Sequence, residues 1–313
     1  MELRKPPPLH RGDGIGLVST SSPVTPAQLD RLTEYLKARG YRVKTAEGVL
    51  DRVGHFGGTV ERRAAGVSTM FADPEVALVL PVNGGTGAGH LVDRLDYAAI
   101  RDRPILFSGF SNPSVLNNAI LAGAGVPSVH GVSGFQFFGW DEVDGPTEAD
   151  FWRMVCGSLT GVEIETDGWR AHRLDGGSIS GRVIGGSLYD LMYIAGTRWM
   201  PATEGAIVLI EAMGGPFEEI DRMLTHLRLA GVLDSIAGLV VGEPADWARG
   251  DAPDESTDAL VLRCVGGSFP VISGVAFGHQ ERKLQLPIGC QVEFDLRGKR
   301  PVLRYLEDLV ALE

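Results

Sequence analysis

Short apolar runs alternate along this chain with stretches whose apolar positions recur every three or four residues. That alternation of strand and helix builds a parallel sheet. Ile15, Leu17 and Val18 read as a first strand, followed by the small-residue turn Ser19-Thr20-Ser21-Ser22-Pro23. Thr25-Pro26 opens an amphipathic helix with Leu29, Leu32, Tyr35 and Leu36 inward and Gly40 as its stop. Tyr41-Arg42-Val43 starts the next strand, and Arg62 and Arg63 belong to a helix ending near Asp73-Pro74. Residues 76–82 are almost wholly apolar, as in a strand covered on both faces. They run into Asn83-Gly84-Gly85-Thr86-Gly87-Ala88-Gly89-His90 and then a helix carrying Leu91, Leu95 and Tyr97. Glycines directly after a central strand serve either a tight turn or close approach of another group to the backbone.

Residues 104–122 organise the rest. Ile105 to Phe107 is a buried-strand run, and residues 113–122 have helical spacing with Val115, Leu116 and Ile120 on one face. Between them stands Gly109-Phe110-Ser111-Asn112, with Asn112 suited to cap the helix and Pro113 to its first position. A serine at such a turn projects its hydroxyl from the end of a sheet, beside backbone N–H groups able to bind an anion. Ser111 therefore reads as a nucleophile, although a polar turn and helix cap would use the same residue types. The usual elbow has a second glycine where Pro113 stands.

The second half reads as helix over residues 151–159, short strands around Val162, Ile164, Trp169, Ile179 and Val183, and a turn at Gly185-Gly186-Ser187-Leu188 into a helix. A buried strand, residues 206–211, ends on Glu211; a strongly patterned helix covers 217–230; further strands fall at 236–242 and 270–277, and a terminal hairpin spans 291–305. The aromatic stretch 135–140 and the acidic stretch 141–150 mark a change of composition. The expected organisation is an N-terminal parallel-sheet α/β domain over 1–140, an inter-domain link over 141–178, and a C-terminal β-rich α+β domain over 179–313.

Composition narrows the partners. The chain has 313 residues, 44% hydrophobic and 22% charged, and a formal net charge of −11, which argues against nucleic acid or an anionic membrane as partner. Its three cysteines, Cys156, Cys264 and Cys290, form neither a metal-spaced pair nor a disulfide framework. With no export-type leader in the opening residues and no membrane-length apolar run, the expectation is a cytoplasmic protein.

Ionisable residues at the ends of apolar strands are uncommon, because burying a charge is costly. Glu211 and His279 occupy such positions, and with Ser111 they supply a nucleophile, a base and an acid to orient the base. At this point the sequence resembles the LD-carboxypeptidase family of serine peptidases, which also includes the microcin C immunity hydrolases. In the first half the matching stretches are Gly12-Asp13-Gly14-Ile15-Gly16, Gly84-Gly85-Thr86-Gly87-Ala88-Gly89-His90-Leu91, Gly109-Phe110-Ser111-Asn112 and His130-Gly131. In the second they are Gly185-Gly186-Ser187-Leu188, Leu209-Ile210-Glu211, Ile220-Asp221-Arg222-Met223-Leu224 and Phe277-Gly278-His279 before Leu286-Pro287-Ile288-Gly289.

The resemblance implies a two-domain hydrolase without cofactor or metal, with Ser111 as nucleophile, His279 as general base and Glu211 orienting it. The backbone N–H groups of Gly85 and Asn112 would form the oxyanion hole. It implies cleavage between an L-centre and a D-amino acid, typically the terminal D-alanine of a murein tetrapeptide in cell-wall recycling, by a homodimer. An arginine or lysine is then expected to face the cleft and meet the substrate carboxylate. Two residues depart from the family pattern: Asn83 stands where an arginine commonly precedes the two glycines, and Asn112 where an aspartate commonly follows the nucleophile. Both bear on substrate identity. The rival of the same chemistry is an amidase of peptidyl- or aminoacyl-sulfamoyl adenylates, with Trp140 or Trp199 as a platform for adenine. The rival of another class is a non-catalytic two-lobed ligand-binding protein.

Overall fold

The computed structural model describes residues 2–134, 144–165, 167–174, 177–249, 254–298 and 300–312. The aromatic stretch 135–140, with Trp140, and the first residues of the expected link lie outside the described residues.

The first lobe is built from β1 (Gly14–Val18), α1 (Pro26–Ala38), β2 (Arg42–Thr45), α2 (Val60–Ala72), β3 (Val76–Pro81), α3 (Tyr97–Asp102), β4 (Leu106–Gly109), α4 (Ser114–Ala124) and β5 (Ser128–His130). The helices start where the local chemistry dictates. Thr25 and Gln28 form a reciprocal capping box on α1, whose Leu29, Leu32 and Leu36 are buried. Thr59 caps α2 and Asp96 caps α3. The latter cap divides what the apolar spacing suggests is one helix: Ala88–Leu91 is a short 3-10 turn, and α3 begins afresh at Tyr97. The parallel strands lie in the order β2-β1-β3-β4-β5. Connections from β1 and β3 leave in opposite directions along the sheet. The crevice beyond their carboxyl ends, a usual ligand site in open α/β sheets, holds Ser21, Ser22 and the glycine-rich loop.

Next come α5 (Gly145–Cys156), β6 (Glu163–Glu165), β7 (Arg170–His172), β8 (Ser178–Ser187), α6 (Leu188–Leu191), β9 (Ala206–Glu211), β10 (Met213–Pro216) and α7 (Phe217–Leu229). The chain ends with β11 (Gly238–Gly242), β12 (Ala245–Ala248), α8 (Thr257–Val265), β13 (Val271–Val275), β14 (Leu286–Ile288), β15 (Gln291–Asp295) and β16 (Val302–Tyr305). Eight of these strands form a mixed sheet in the order β6-β16-β15-β8-β9-β11-β13-β7, parallel from β8 to β13 and antiparallel at both flanks. The helix α7 buries Phe217, Ile220, Met223, Leu224 and Leu227; Leu229, which the apolar pattern of the sequence also includes, is exposed instead. Within residues 141–178, α5 docks on the first lobe: Trp152 stacks on Tyr41 at 5.1 Å, and Leu9 N–H donates to Val155 O. The strands β6 and β7 of the same stretch pair with β16 and β13 of the second sheet.

Two features join the lobes. The late strand β14 pairs antiparallel with β5 and completes the first sheet at its edge. The helix α4, expected to be amphipathic, is buried on nearly every side because β8 covers the face its own sheet does not. Its Asn118 answers that burial with polar chemistry, donating from Nδ2 to Gly185 O at 2.9 Å while Oδ1 accepts from Gly185 N–H at 2.8 Å. Among the described residues no helix is long and apolar enough to cross a membrane.

Candidate active site

The turn from β4 to α4 is tighter than the sequence suggests. Ser111 has φ +57°, in the left-handed region that a non-glycine residue seldom occupies. That bend lifts the side chain away from the sheet and delays the helix. Pro113, not Asn112, occupies the cap position, and Ser114 N–H bonds back to Ser111 O at 2.8 Å. The expected cap role of Asn112 is therefore corrected. Its side chain is drawn into the protein, 2% exposed, where Oδ1 accepts from Ala88 N–H and from the Ser21 hydroxyl, each at 2.7 Å. Its Nδ2 donates to Asp190 on α6.

The three chemical candidates meet. Glu211 ends β9 and His279 follows β13, so two parallel strands that flank β11 in the second sheet deliver them to one edge. With its proton on Nδ1, His279 donates to Glu211 Oε2 at 2.7 Å, which leaves Nε2 to accept from the Ser111 hydroxyl at 3.1 Å. Phe110 tilts against the imidazole at 4.7 Å between centroids. The carboxylate is almost fully buried and has Gly278 against it, where φ is +95° and an added Cβ would lie 2.7 Å from Oε2. Only glycine lets the chain pass that close and then present His279.

The glycine-rich loop brings Gly85 to the same place. Its φ is +104°, and an added Cβ would fall 1.9 Å from Ser22 Oγ. Its N–H and that of Asn112 have no hydrogen-bond acceptor among the described residues. Beneath the loop, buried Arg63 donates to Gly87 O at 2.8 Å and to Thr20 O, and among the described residues no carboxylate forms an ion pair with it. Around Ser111 and His279 opens a cavity of about 770 Å³ whose polar lining includes Ser22, Thr86, Asp190 and Glu219. Among the described residues, none that line it is an arginine or lysine; Lys283 stands close by, its Nζ 4.4 Å from the centroid of the Phe110 ring that packs on His279. Trp199, the other proposed aromatic platform, lines a neighbouring cavity of about 530 Å³ with His90, sharing only Tyr193 with the first. Among the described residues no group of three or more His, Cys, Asp or Glu side chains is placed to hold a metal ion.

Sequence reasoning missed Asp190 and the role of His130. Asp190 is 6% exposed, and burial pushes its carboxyl up to about 6 against hydrogen bonds from Ser187 and Asn112. His130 is wholly buried between Phe110 and Phe277, with neither ring nitrogen hydrogen-bonded among the described residues; burial pushes its imidazole down to about 4. The two act oppositely on stability. As pH falls from 6.5 to 4 the unfolded chain protonates at His130 before the folded protein does, so stability is lost. Through the window from 6 to 3.8 the folded protein protonates at Asp190 first, so stability is gained. Each effect amounts to about 3 kcal/mol at most. His130→Leu leaves the Asp190 effect unopposed. In urea titrations the variant should gain about 2–3 kcal/mol on wild type between pH 7 and pH 4.5; an equal difference at both pH values refutes the assignment.

A serine at a strand-to-helix elbow, in line with an imidazole and a carboxylate on a two-lobed α/β frame, is the architecture of a serine-type hydrolase. Comparison with known sequences places it more narrowly. Residues 15–131 match the LD-carboxypeptidase N-terminal domain and residues 180–294 the LD-carboxypeptidase C-terminal domain. The chain belongs to the LD-carboxypeptidase family and is a peptidase of that family. It is 27% identical over 304 residues to a probable murein peptide carboxypeptidase of Bacillus subtilis, covering 96% of this chain and 94% of that protein. It is 30% identical over 299 residues to a putative carboxypeptidase of Streptomyces coelicolor, covering 94% of each. Among solved structures, the microcin C7 self-immunity protein MccF in complex with aspartyl sulfamoyl adenosine shares the fold, with TM-score 0.89 at 22% identity over 98% of this chain and 100% of that one.

Proposed function

We propose that this chain is a serine carboxypeptidase that hydrolyses an L,D-peptide bond and releases the terminal D-alanine of a murein tetrapeptide in cell-wall recycling. The observation that carries the reading is the continuous relay from Ser111 Oγ through His279 to Glu211, at 3.1 and 2.7 Å, opening on one cavity. The likeness to a probable murein peptide carboxypeptidase over almost the whole chain supports the substrate.

Ser111 attacks the scissile carbonyl while His279 Nε2 takes its proton, and Glu211 holds the imidazole in the required tautomer and stabilises its positive form. The oxyanion is received by the N–H groups of Gly85 and Asn112. His279 then gives the proton to the amine of departing D-alanine, and water, deprotonated by the same imidazole, frees the acyl chain. Among the described residues no basic side chain lines the cavity, and the terminal carboxylate of the substrate is met by the hydroxyls of Ser22 and Thr86. The first lobe, over 1–140, carries the nucleophile, and the unit over 179–313 the acid and base. The reading places the enzyme in the cytoplasm, in keeping with free thiols at Cys156, Cys264 and Cys290, and as a homodimer, an expectation of the family resemblance.

The test is a panel of three substrates: the L,D-tetrapeptide, its all-L isomer and aspartyl sulfamoyl adenosine. The expected kcat/KM for D-alanine release exceeds the other two by about a hundredfold or more, because transition-state geometry at the D-centre is read by contacts on both sides of the scissile bond. Faster turnover of the adenylate analogue would replace this reading with that of an immunity-type amidase.

A further inference from the structure

The Asn112 side chain joins four segments of the chain. It belongs to the elbow itself, and its Oδ1 accepts from Ser21 after β1 and from Ala88 N–H in the glycine-rich loop. Its Nδ2 reaches Asp190 on α6, in the second lobe. Ser21, Asn112 and Asp190 are all buried, so each bond is made away from competing water. Two of the four segments carry the N–H donors assigned to the oxyanion, those of Gly85 and Asn112. An amide suits this place because its oxygen accepts from two donors while its NH₂ group donates to a carboxylate. Asp190 in turn accepts from Ser187, which turns the chain from β8 into α6.

We propose that Asp190 is a positioning residue of the catalytic centre. By gripping the Asn112 amide it holds the elbow and the glycine-rich loop in the one register that aims both N–H groups at a common oxyanion. The proposal rests on the reading of Ser111 as nucleophile and of Gly85 and Asn112 as oxyanion donors. Asp190 touches neither the nucleophile nor the base through a hydrogen bond among the described residues; it acts through Asn112. A donor displaced from the oxyanion costs about a hundredfold to a thousandfold in kcat when lost outright, and a loosened one costs part of that.

The pair also predicts its own rescue. In N112D alone two carboxylates face each other in a buried site. In the double variant N112D/D190N the charge has only moved across the contact. The introduced carboxylate still accepts from Ala88 N–H and Ser21, and the introduced amide donates to it. The experiment measures kcat and KM for D-alanine release from the tetrapeptide, together with near-ultraviolet circular dichroism and Ser111 labelling by a serine-directed phosphonate. Asp190→Ala is expected to lower kcat about 30-fold and N112D about 100-fold, with KM within about threefold in both, and the double variant to return within about fivefold of wild type.

Asp190→Ala within twofold of wild-type kcat, or a double variant no faster than N112D, overturns the inference. A purely structural role for Asp190 would lower the unfolding temperature without this kinetic rescue. Should N112D fail to fold, Asp190→Asn, which keeps an acceptor for Asn112, must turn over at least about tenfold faster than Asp190→Ala; equal rates overturn the inference. Ser111→Ala separates the two levels. Turnover retained in that variant removes the nucleophile assignment and this inference with it. An inactive Ser111→Ala beside a fully active Asp190→Ala removes this inference alone.

Discussion

Ser111→Ala is expected to lower kcat for D-alanine release by about 10⁴- to 10⁶-fold and to abolish labelling by a serine-directed phosphonate. The size of the loss follows from what remains. The Gly85 and Asn112 donors and the cavity still bind and polarise the substrate, but His279 is left to activate a water that must find its own place. Residual activity above the uncatalysed rate is therefore expected, and KM should move little, because the hydroxyl is not used to hold the ground state. The fold should tolerate the change. Alanine at φ +57° pays the same backbone cost as serine, and the elbow is held by the Ser114 N–H bond to residue 111 O and by the Asn112 side chain, neither of which is removed. Turnover within tenfold of wild type would rule out Ser111 as the nucleophile.

The second large effect is Glu211→Gln, expected to cost about 10³- to 10⁴-fold in kcat at nearly unchanged size and shape. The glutamine amide donates to His279 Nδ1, which drives the imidazole proton to Nε2 and removes the acceptor that Ser111 needs. It also cannot stabilise the imidazolium formed during attack. Stability should move the other way or not at all. Glu211 Oε1 has no hydrogen-bond partner among the described residues, so its negative charge is expensive to bury and a neutral amide relieves that cost. Thermal unfolding beside kinetics tests the combination: a protein as stable as wild type and a thousandfold slower. A variant that loses stability in step with activity would show Glu211 to be a folding residue and not an orienting one.

How much of this was legible in the chain depends on whether the determinant was local. The strands at Gly14–Val18, Val76–Pro81 and Ala206–Glu211 declare themselves through apolar runs, and α1 and α7 through their stripes and caps. Ser111, Glu211 and His279 stand out because each closes or follows such a run. Local chemistry misleads where a side chain has a better partner far away. Asn112 is a good cap in isolation, but Ala88, Ser21 and Asp190 together offer more than one helical N–H does. The two-faced burial of α4 is invisible because β8, which covers its second face, comes some sixty residues later in the chain. Asp190 hides between Leu188 and Leu191 in a short helix, where an acid reads as an exposed position. Among the described residues the expected cation for the substrate carboxylate is absent from the cavity lining. Arg63 is near in space, but it is spent on the carbonyls that brace the loop from below.

The completion of the first sheet by β14 has a consequence for how this protein is made. A nascent chain that has already emitted β1 to β5 still presents β5 with a row of unsatisfied backbone groups, and it does so until residues 286–288 leave the ribosome. The nucleophile-bearing half therefore cannot finish maturing during translation, whatever its helices achieve early. Truncation anywhere before Leu286 should yield an aggregating fragment in place of a stable half-enzyme, and no intermediate of synthesis carries a working hydrolase.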